Sequence, residues 1–279
     1  MDHWQPLQTL HTRTLRDNVV SLLREAIVKG TLPAGIELNQ AHVAERLGIS
    51  RGPLREALGQ LEQENLIRTV PYKGSVVTSL TPTYLSELYS LRKALEQFAV
   101  EQLLEPSSID VSDDAPNIDA ILITTTQKLR NVVDDMHDAA LAQDNDGLVE
   151  LDLSFHRIII EAPGHSLLKH TWSPLEMGVK RCLYTRHKIY RSLDQVIGNH
   201  PDIIEAIEAK NVDAAKALLH DHIMEAGKMM QQYWADAPET EPVSSEVVLD
   251  SLQAHLSERL DTPSVVTKVG ASKAAKVKR

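Results

Sequence analysis

Ser50-Arg51-Gly52-Pro53-Leu54-Arg55-Glu56-Ala57-Leu58 is the densest run of usable chemistry in the chain. Arg51 and Arg55 are four residues apart, so on a helix they share one face, while Leu54, Leu58 and Leu61 point the other way. Two forked guanidiniums at a helix start suit guanine edges or phosphates in the major groove of DNA. Ser50 and the free N–H groups beside it, that of Gly52 included, offer a phosphate seat at the helix N-terminus. Further on, Lys73 and Gly74 fall in a turn that could approach a minor groove. The plain alternative is a solvated charged face, because Glu56 and Glu62 stand close by.

A second constellation lies beyond residue 150. Asp152 and His156 are four apart, which aims one carboxylate and one imidazole the same way from a helix. His200 precedes Pro201 at a helix start, and His222 falls in the last long helical stretch. One oxygen and three ring nitrogens could converge on a divalent metal such as zinc, nickel or manganese. Twelve histidines offer many such pairings, so spacing alone leaves a structural or surface role open.

Both constellations need elements to hold them. Leu15, Val19, Leu22, Leu23, Ala26 and Ile27 recur at helical spacing, which predicts an amphipathic helix ending at Gly30. After a turn at Pro33 and Gly35, Asn39 is placed to cap a short helix through Val43, Ala44 and Leu47, stopped by Gly48. Ser50 is placed to cap the next helix, with Leu54, Ala57, Leu58 and Leu61 inward and Asn65 as a left-handed exit. Two short helices across so tight a turn make a helix-turn-helix. Residues 67–70 and 75–78 flank Pro71-Tyr72-Lys73-Gly74 as a small hairpin, a wing.

Thr81-Pro82 reads as a cap followed by proline in the first helical position, and marks a domain boundary. Helical patterning then runs over 85–104, 118–142, 148–160, 167–193, 201–209 and 212–234, with loops at 106–116 and 144–147. Pro174 is expected to start, kink or interrupt its helix. The expected architecture is therefore mainly α: a winged helix-turn-helix over 1–80, then an all-α antiparallel helical bundle over 81–235. Residues 236–279 turn to Pro, Glu, Thr and Ser and end in spaced lysines, the composition of a disordered tail.

Composition bounds the function classes. Hydrophobic residues at 42% and charged residues at 24% describe a soluble globular chain. No run approaches the length of a bilayer span, and no basic-then-apolar leader opens the chain, so neither a membrane partner nor secretion is expected. The single cysteine, Cys182, suits a reducing, cytoplasmic setting. The net charge of -10 seems hostile to DNA, yet residues 1–80 carry nine Lys/Arg against eight Asp/Glu, while residues 81–235 carry 14 against 24. A nucleic-acid contact therefore belongs to the first 80 residues.

Across Gly30 to Val77, the residues Pro33, Gly35, Leu38, Ala44, Leu47-Gly48, Ser50-Arg51, Pro53 to Leu58, Leu61 and Gly74 resemble the winged helix of GntR-type bacterial transcription regulators. The resemblance implies that Arg51 and Arg55 contact an operator and that Gly74 admits the wing to the minor groove. Gln40 and Ala41 depart from the family's usual acidic or arginine residues, which bears on which bases are read. Asn65 replaces the usual glycine, a conservative change in a left-handed position.

The helical part resembles the FCD effector domain of the FadR subfamily, through residues 88–96, Asp152 to His156, His200, Ala214-Ala215 and His222-Ile223. On this resemblance Asp152, His156, His200 and His222 correspond to the family's metal ligands, with His222 preferred to His220. His220 points about 200° away around the helix. The resemblance further implies a small carboxylate or sugar-acid effector in the metal's open positions, with Arg92 and then Arg186 as guanidiniums for its free oxygens. The alternative for Arg92 is an ion pair with Glu96 one turn on, which on a helix surface is worth a few tenths of a kcal/mol.

Together these readings predict a homodimeric, ligand-responsive regulator on a palindromic double-stranded DNA operator. The rivals are a helical metalloenzyme and a DNA-binding protein with a purely structural metal. The chain has no His-Glu-x-x-His pair, nucleophile elbow or glycine-rich phosphate loop, so no enzyme is expected.

Overall fold

The computed structural model describes residues 14–106, 117–186 and 194–236. The expected tail lies outside the described residues from position 237 onward.

α1 (Leu15–Val28) opens on a capping box in which Thr14 and Asp17 bond each other's backbone, and it buries Val19, Leu22, Leu23, Ala26 and Ile27. α2 (Gln40–Arg46) is capped by Asn39, whose side chain accepts from the Ala41 and His42 N–H groups. α3 (Arg51–Gln63) packs Leu54, Ala57, Leu58 and Leu61 against α1 and leaves through Asn65 at φ 55°. β2 (Ile67–Val70) and β3 (Gly74–Val77) form the wing, with Ile67 opposite Val77 and Val70 opposite Gly74. A third strand, β1 (Glu37–Leu38), pairs antiparallel with β3 to give the order β1-β3-β2. Sequence reasoning saw only a turn there, because two residues carry no periodicity and β1 exists only through its partner.

Thr81 caps α4 (Pro82–Leu104), its hydroxyl accepting from the Tyr84 N–H at 3.1 Å. α5 (Ile118–Leu141), α6 (Asn145–Glu161), α7 (Ser166–Arg186), α8 (Asp194–Ile197), α9 (His200–Glu208) and α10 (Val212–Asp236) complete the bundle. α10 lies along α4, and α6 is flanked by α4, α5 and α7. α9 joins α5 to α10.

One expectation is corrected, and another is narrowed. The loop at 144–147 is the first turn of α6, begun by Asp144, whose carboxylate accepts from the Gly147 N–H at 2.9 Å. Pro174 neither starts nor breaks its helix and sits inside α7. It is exposed, as is His170 one turn earlier, whose carbonyl lacks the donor that Pro174 cannot supply. Of the helix expected over 167–193, the part up to Arg186 is described as α7, residues 187–193 lie outside the described residues, and α8 follows them.

The winged domain rests on the bundle through α1 and α7. There Arg181 donates to the Thr78 carbonyl just after β3, and Lys29 pairs with Asp146 at 2.6 Å. Among the described residues no helix is long and apolar enough to cross a membrane.

Candidate DNA interface and candidate metal centre

α3 begins at Arg51, so both Arg51 and Arg55 project from its first turns, and both are exposed while Leu54 between them is buried. Ser50 occupies the N-cap but its side chain makes no capping bond. A cap hydroxyl bonds the N–H of the second or third helical residue; the third here is Pro53, which has none, so Gly52 is the one donor left to it. The exposed Ser50 hydroxyl and the first-turn N–H groups of Arg51 and Gly52 therefore stay at the helix mouth, where no intrahelical carbonyl reaches them. Gln40 opens α2 half-buried.

At the wing, Gly74 has φ +80°, a left-handed conformation that favours glycine. Lys73 is exposed and pairs with Glu37 of β1 at 3.0 Å. In water such a pair is weak, so the lysine can exchange it for a phosphate at little cost.

The second constellation assembles around α6, α9 and α10. Asp152 and His156 come from α6, His200 from the start of α9 and His222 from α10, and one ligand atom from each lies within 4.8 Å of the others. Asp152, His156 and His200 are 0% exposed, and His222 covers the remaining side. His220, two residues earlier, is exposed. Phe155 sets its ring edge-on to His156 and His200, giving the cluster an apolar wall.

Hydrogen bonds behind the rings decide what each imidazole offers. His156 Nδ1 donates to Glu96 Oε2 at 2.6 Å. His200 Nδ1 donates to the Ile197 carbonyl, and His222 Nδ1 to Asn199 Oδ1 at 2.8 Å. Carbonyls and an ionised carboxylate only accept, so each Nδ1 carries the hydrogen and each Nε2 keeps its lone pair. His222 Nε2 lies 3.3 Å from His156 Nε2, and Asp152 Oδ1 lies 3.6 Å from His200 Nε2. Lone pair facing lone pair is repulsive unless a cation sits between them. Three borderline nitrogen donors and one carboxylate fit zinc, nickel or manganese, so the donor set suits the metal that the family resemblance implies.

Arg92 does make the ion pair offered above as the alternative to effector binding. Its Nε donates to Glu96 Oε1 at 2.8 Å. The pair is 1% and 0% exposed, however, so the small value of a surface pair does not apply. Burial pushes the Glu96 carboxyl up, but the positive charge of Arg92 and the hydrogen bonds from His156 and Arg92 outweigh it and hold it below the usual range. Glu96 thus stays ionised and braces His156, the arrangement by which carboxylates orient metal-binding imidazoles. Arg92 Nη2 is buried without a hydrogen-bond partner. Arg186 closes α7, and its side chain lies outside the described residues.

Sequence reasoning missed Glu96 and Asn199 as the groups that set two of the tautomers. Glu96 was signalled by its place one turn after Arg92; for Asn199, beside His200, no local signal exists. Cys182 is buried, and burial pushes its thiol up to about 12, so it supplies no thiolate.

A profile for bacterial regulatory proteins of the gntR family matches residues 15–77, and an FCD domain profile matches residues 87–225. The chain is 27% identical over 217 residues to the gluconate operon transcriptional repressor of Bacillus subtilis (strain 168), spanning 76% of this chain and 83% of that one. It is 23% identical over 224 residues to the HTH-type transcriptional repressor RspR of Escherichia coli (strain K12), across 79% and 91% of the two chains. The solved structure of E. coli McbR/YncC superposes with a TM-score of 0.60 at 19% identity, covering 80% of this chain and 100% of that one. That likeness shows the shared fold. The family and these relatives are transcriptional regulators rather than enzymes. With its winged helix-turn-helix at the front and its FCD domain behind, the chain belongs to the GntR family of bacterial transcriptional regulators.

Proposed function

We propose that this regulator binds a palindromic operator as a homodimer and that a small carboxylate or sugar acid, meeting a divalent metal held by Asp152, His156, His200 and His222, changes its grip on DNA. The observation that carries the reading is the convergence of three Nε2 lone pairs, each tautomer set by a hydrogen bond on the far side of its ring. A bound metal would supply Lewis acidity toward a hard oxygen ligand, and the chain's own residues orient and enclose that position. Arg92 has one donor to spare beside the cluster, as a carboxylate's second oxygen would need. The relative named for a gluconate operon supports a sugar acid as the class to try first.

On the DNA side, Arg51 and Arg55 read the major groove while Lys73 and Gly74 approach the minor groove, with Ser50, Gly52 and Gln40 at the backbone. Two-fold symmetry would present two such surfaces to two half-sites. An effector that binds one dimer geometry better than another shifts the balance between them.

Burial of Asp152, His156 and His200 favours a second reading, in which the metal only ties α6, α9 and α10 together. A thermal-shift screen of carboxylic and sugar acids, with and without chelator, joined to operator titrations, separates the two. An acid that raises the melting temperature only in metal-loaded protein and changes operator affinity supports effector sensing. Unchanged affinity across the panel, with loss of stability on chelation, supports the structural metal.

A further inference from the structure

The three imidazoles of the cluster are not held alike. His156 is fully buried and leans on Glu96, which is fully buried as well. His200 is fully buried and leans on the carbonyl of Ile197, itself a buried residue. His222 is half-buried, and so is Asn199, whose Oδ1 accepts from its Nδ1–H at 2.8 Å. A hydrogen bond sealed from water leaves both partners unsatisfied when it breaks, whereas one near the surface is exchanged for bonds to water. Of the three rings, that of His222 therefore turns away from the cluster at the smallest cost.

Asn199 carries a second, independent sign of this asymmetry. It is the N-cap of α9, and asparagine is among the best capping residues, yet its side chain makes no capping bond. Pro201 removes one of the two N–H groups that a cap reaches, and the Asp202 N–H is the other. The amide oxygen is turned instead to His222, 23 residues away on α10. A side chain that forgoes its local bond to hold a ring on another helix is placed for that ring.

We propose that metal enters and leaves the cluster past His222, and that Asn199 is the positioning residue that holds this ring in its ligating pose and thereby sets the rate of exchange. The inference rests on the reading of the cluster as a metal site. It gives the ligands unequal parts: Asp152, His156 and His200 form a fixed floor, and His222 closes over it.

The test follows zinc alone, at one pH, by stopped-flow mixing with a chromophoric chelator, so that uptake and release are read separately. Asn199→Ala and Asn199→Ser, the second retaining a good cap residue, should each raise both rates about three- to tenfold, the effect of one ordinary hydrogen bond. Affinity should move little, and metal-free melting temperatures should match wild type, since no capping bond is lost. Asn199→Asp, a charged and stronger acceptor, should slow both rates. Glu96→Gln acts behind a ring that stays in place, so it should speed release and leave uptake unchanged. Unaltered rates in Asn199→Ala and Asn199→Ser, or faster release with wild-type uptake, overturn the inference and leave the metal site standing. A wild-type protein that takes up no zinc overturns the metal reading, and the inference with it.

Discussion

A guanidinium reads DNA only if it is exposed, correctly placed and not already spent on a neighbour. Arg51 is exposed at the first position of α3 and beside a helix mouth whose N–H groups remain open. Arg51→Ala is expected to weaken operator binding by roughly 1–3 kcal/mol at fixed salt; unaltered affinity in a titration would remove it from the groove. At the candidate metal centre the decisive group is the one behind the ligand. Glu96→Gln keeps the shape but weakens the acceptor for His156 Nδ1–H, and should lower metal affinity about 10–100-fold. Competition with a chromophoric chelator measures this, and wild-type affinity would show that Glu96 serves only Arg92.

Elements here meet through glycines where side chains will not fit. A Cβ at Gly227 on α10 would lie 2.9 Å from Tyr89 Cγ and 3.1 Å from its Cβ on α4. Tyr89 is 1% exposed and has nowhere to retreat, so Gly227→Ala should destabilise by about 1–3 kcal/mol despite the better helix propensity of alanine. Gly59 is the counterpart on α3, with nothing within 4 Å of a built Cβ and an exposed position. Gly59→Ala should stabilise by about 0.5–1 kcal/mol. Denaturant midpoints of the pair decide the point: a stabilised Gly227→Ala would mean that propensity, not contact, governs the α4–α10 seam.

At the scale of the molecule, the two domains are joined by few but unlike contacts. Lys29 and Asp146 are partly exposed, so their pair adds little and fades with salt. Arg181 is only 6% exposed and reaches the Thr78 carbonyl between β3 and α4. Burial lowers its pKa, a sign that the charge is held against a desolvation cost. Arg181→Met should cost about 1–3 kcal/mol by leaving that carbonyl without its donor. It should also loosen the seating of the winged domain, read as faster hydrogen exchange at residues 76–80. No change at these amides would assign the seating to the apolar contacts of α1 and α7 instead.

Much of this protein is written locally. Asn39, Thr81 and Asn65 declare their caps and exits because capping and left-handed backbone depend on the residue itself, and the apolar spacing of α1 and α3 declares which face is covered. Arg51 and Arg55 could be placed on one outward face for the same reason. Local sequence cannot fix which distant groups end up in contact. β1 needed β3 to exist, and Pro174 needed an exposed flank to remain in a helix. Asp152, His156, His200 and His222 span 71 positions, so only the packing of α6 against its neighbours and of α9 against α10 decides that they share one point. The tautomers required Glu96 from α4 and a carbonyl and an amide from residues 197 and 199. Helix and turn preferences act over a few residues, whereas a shared coordination point is a property of how whole helices pack.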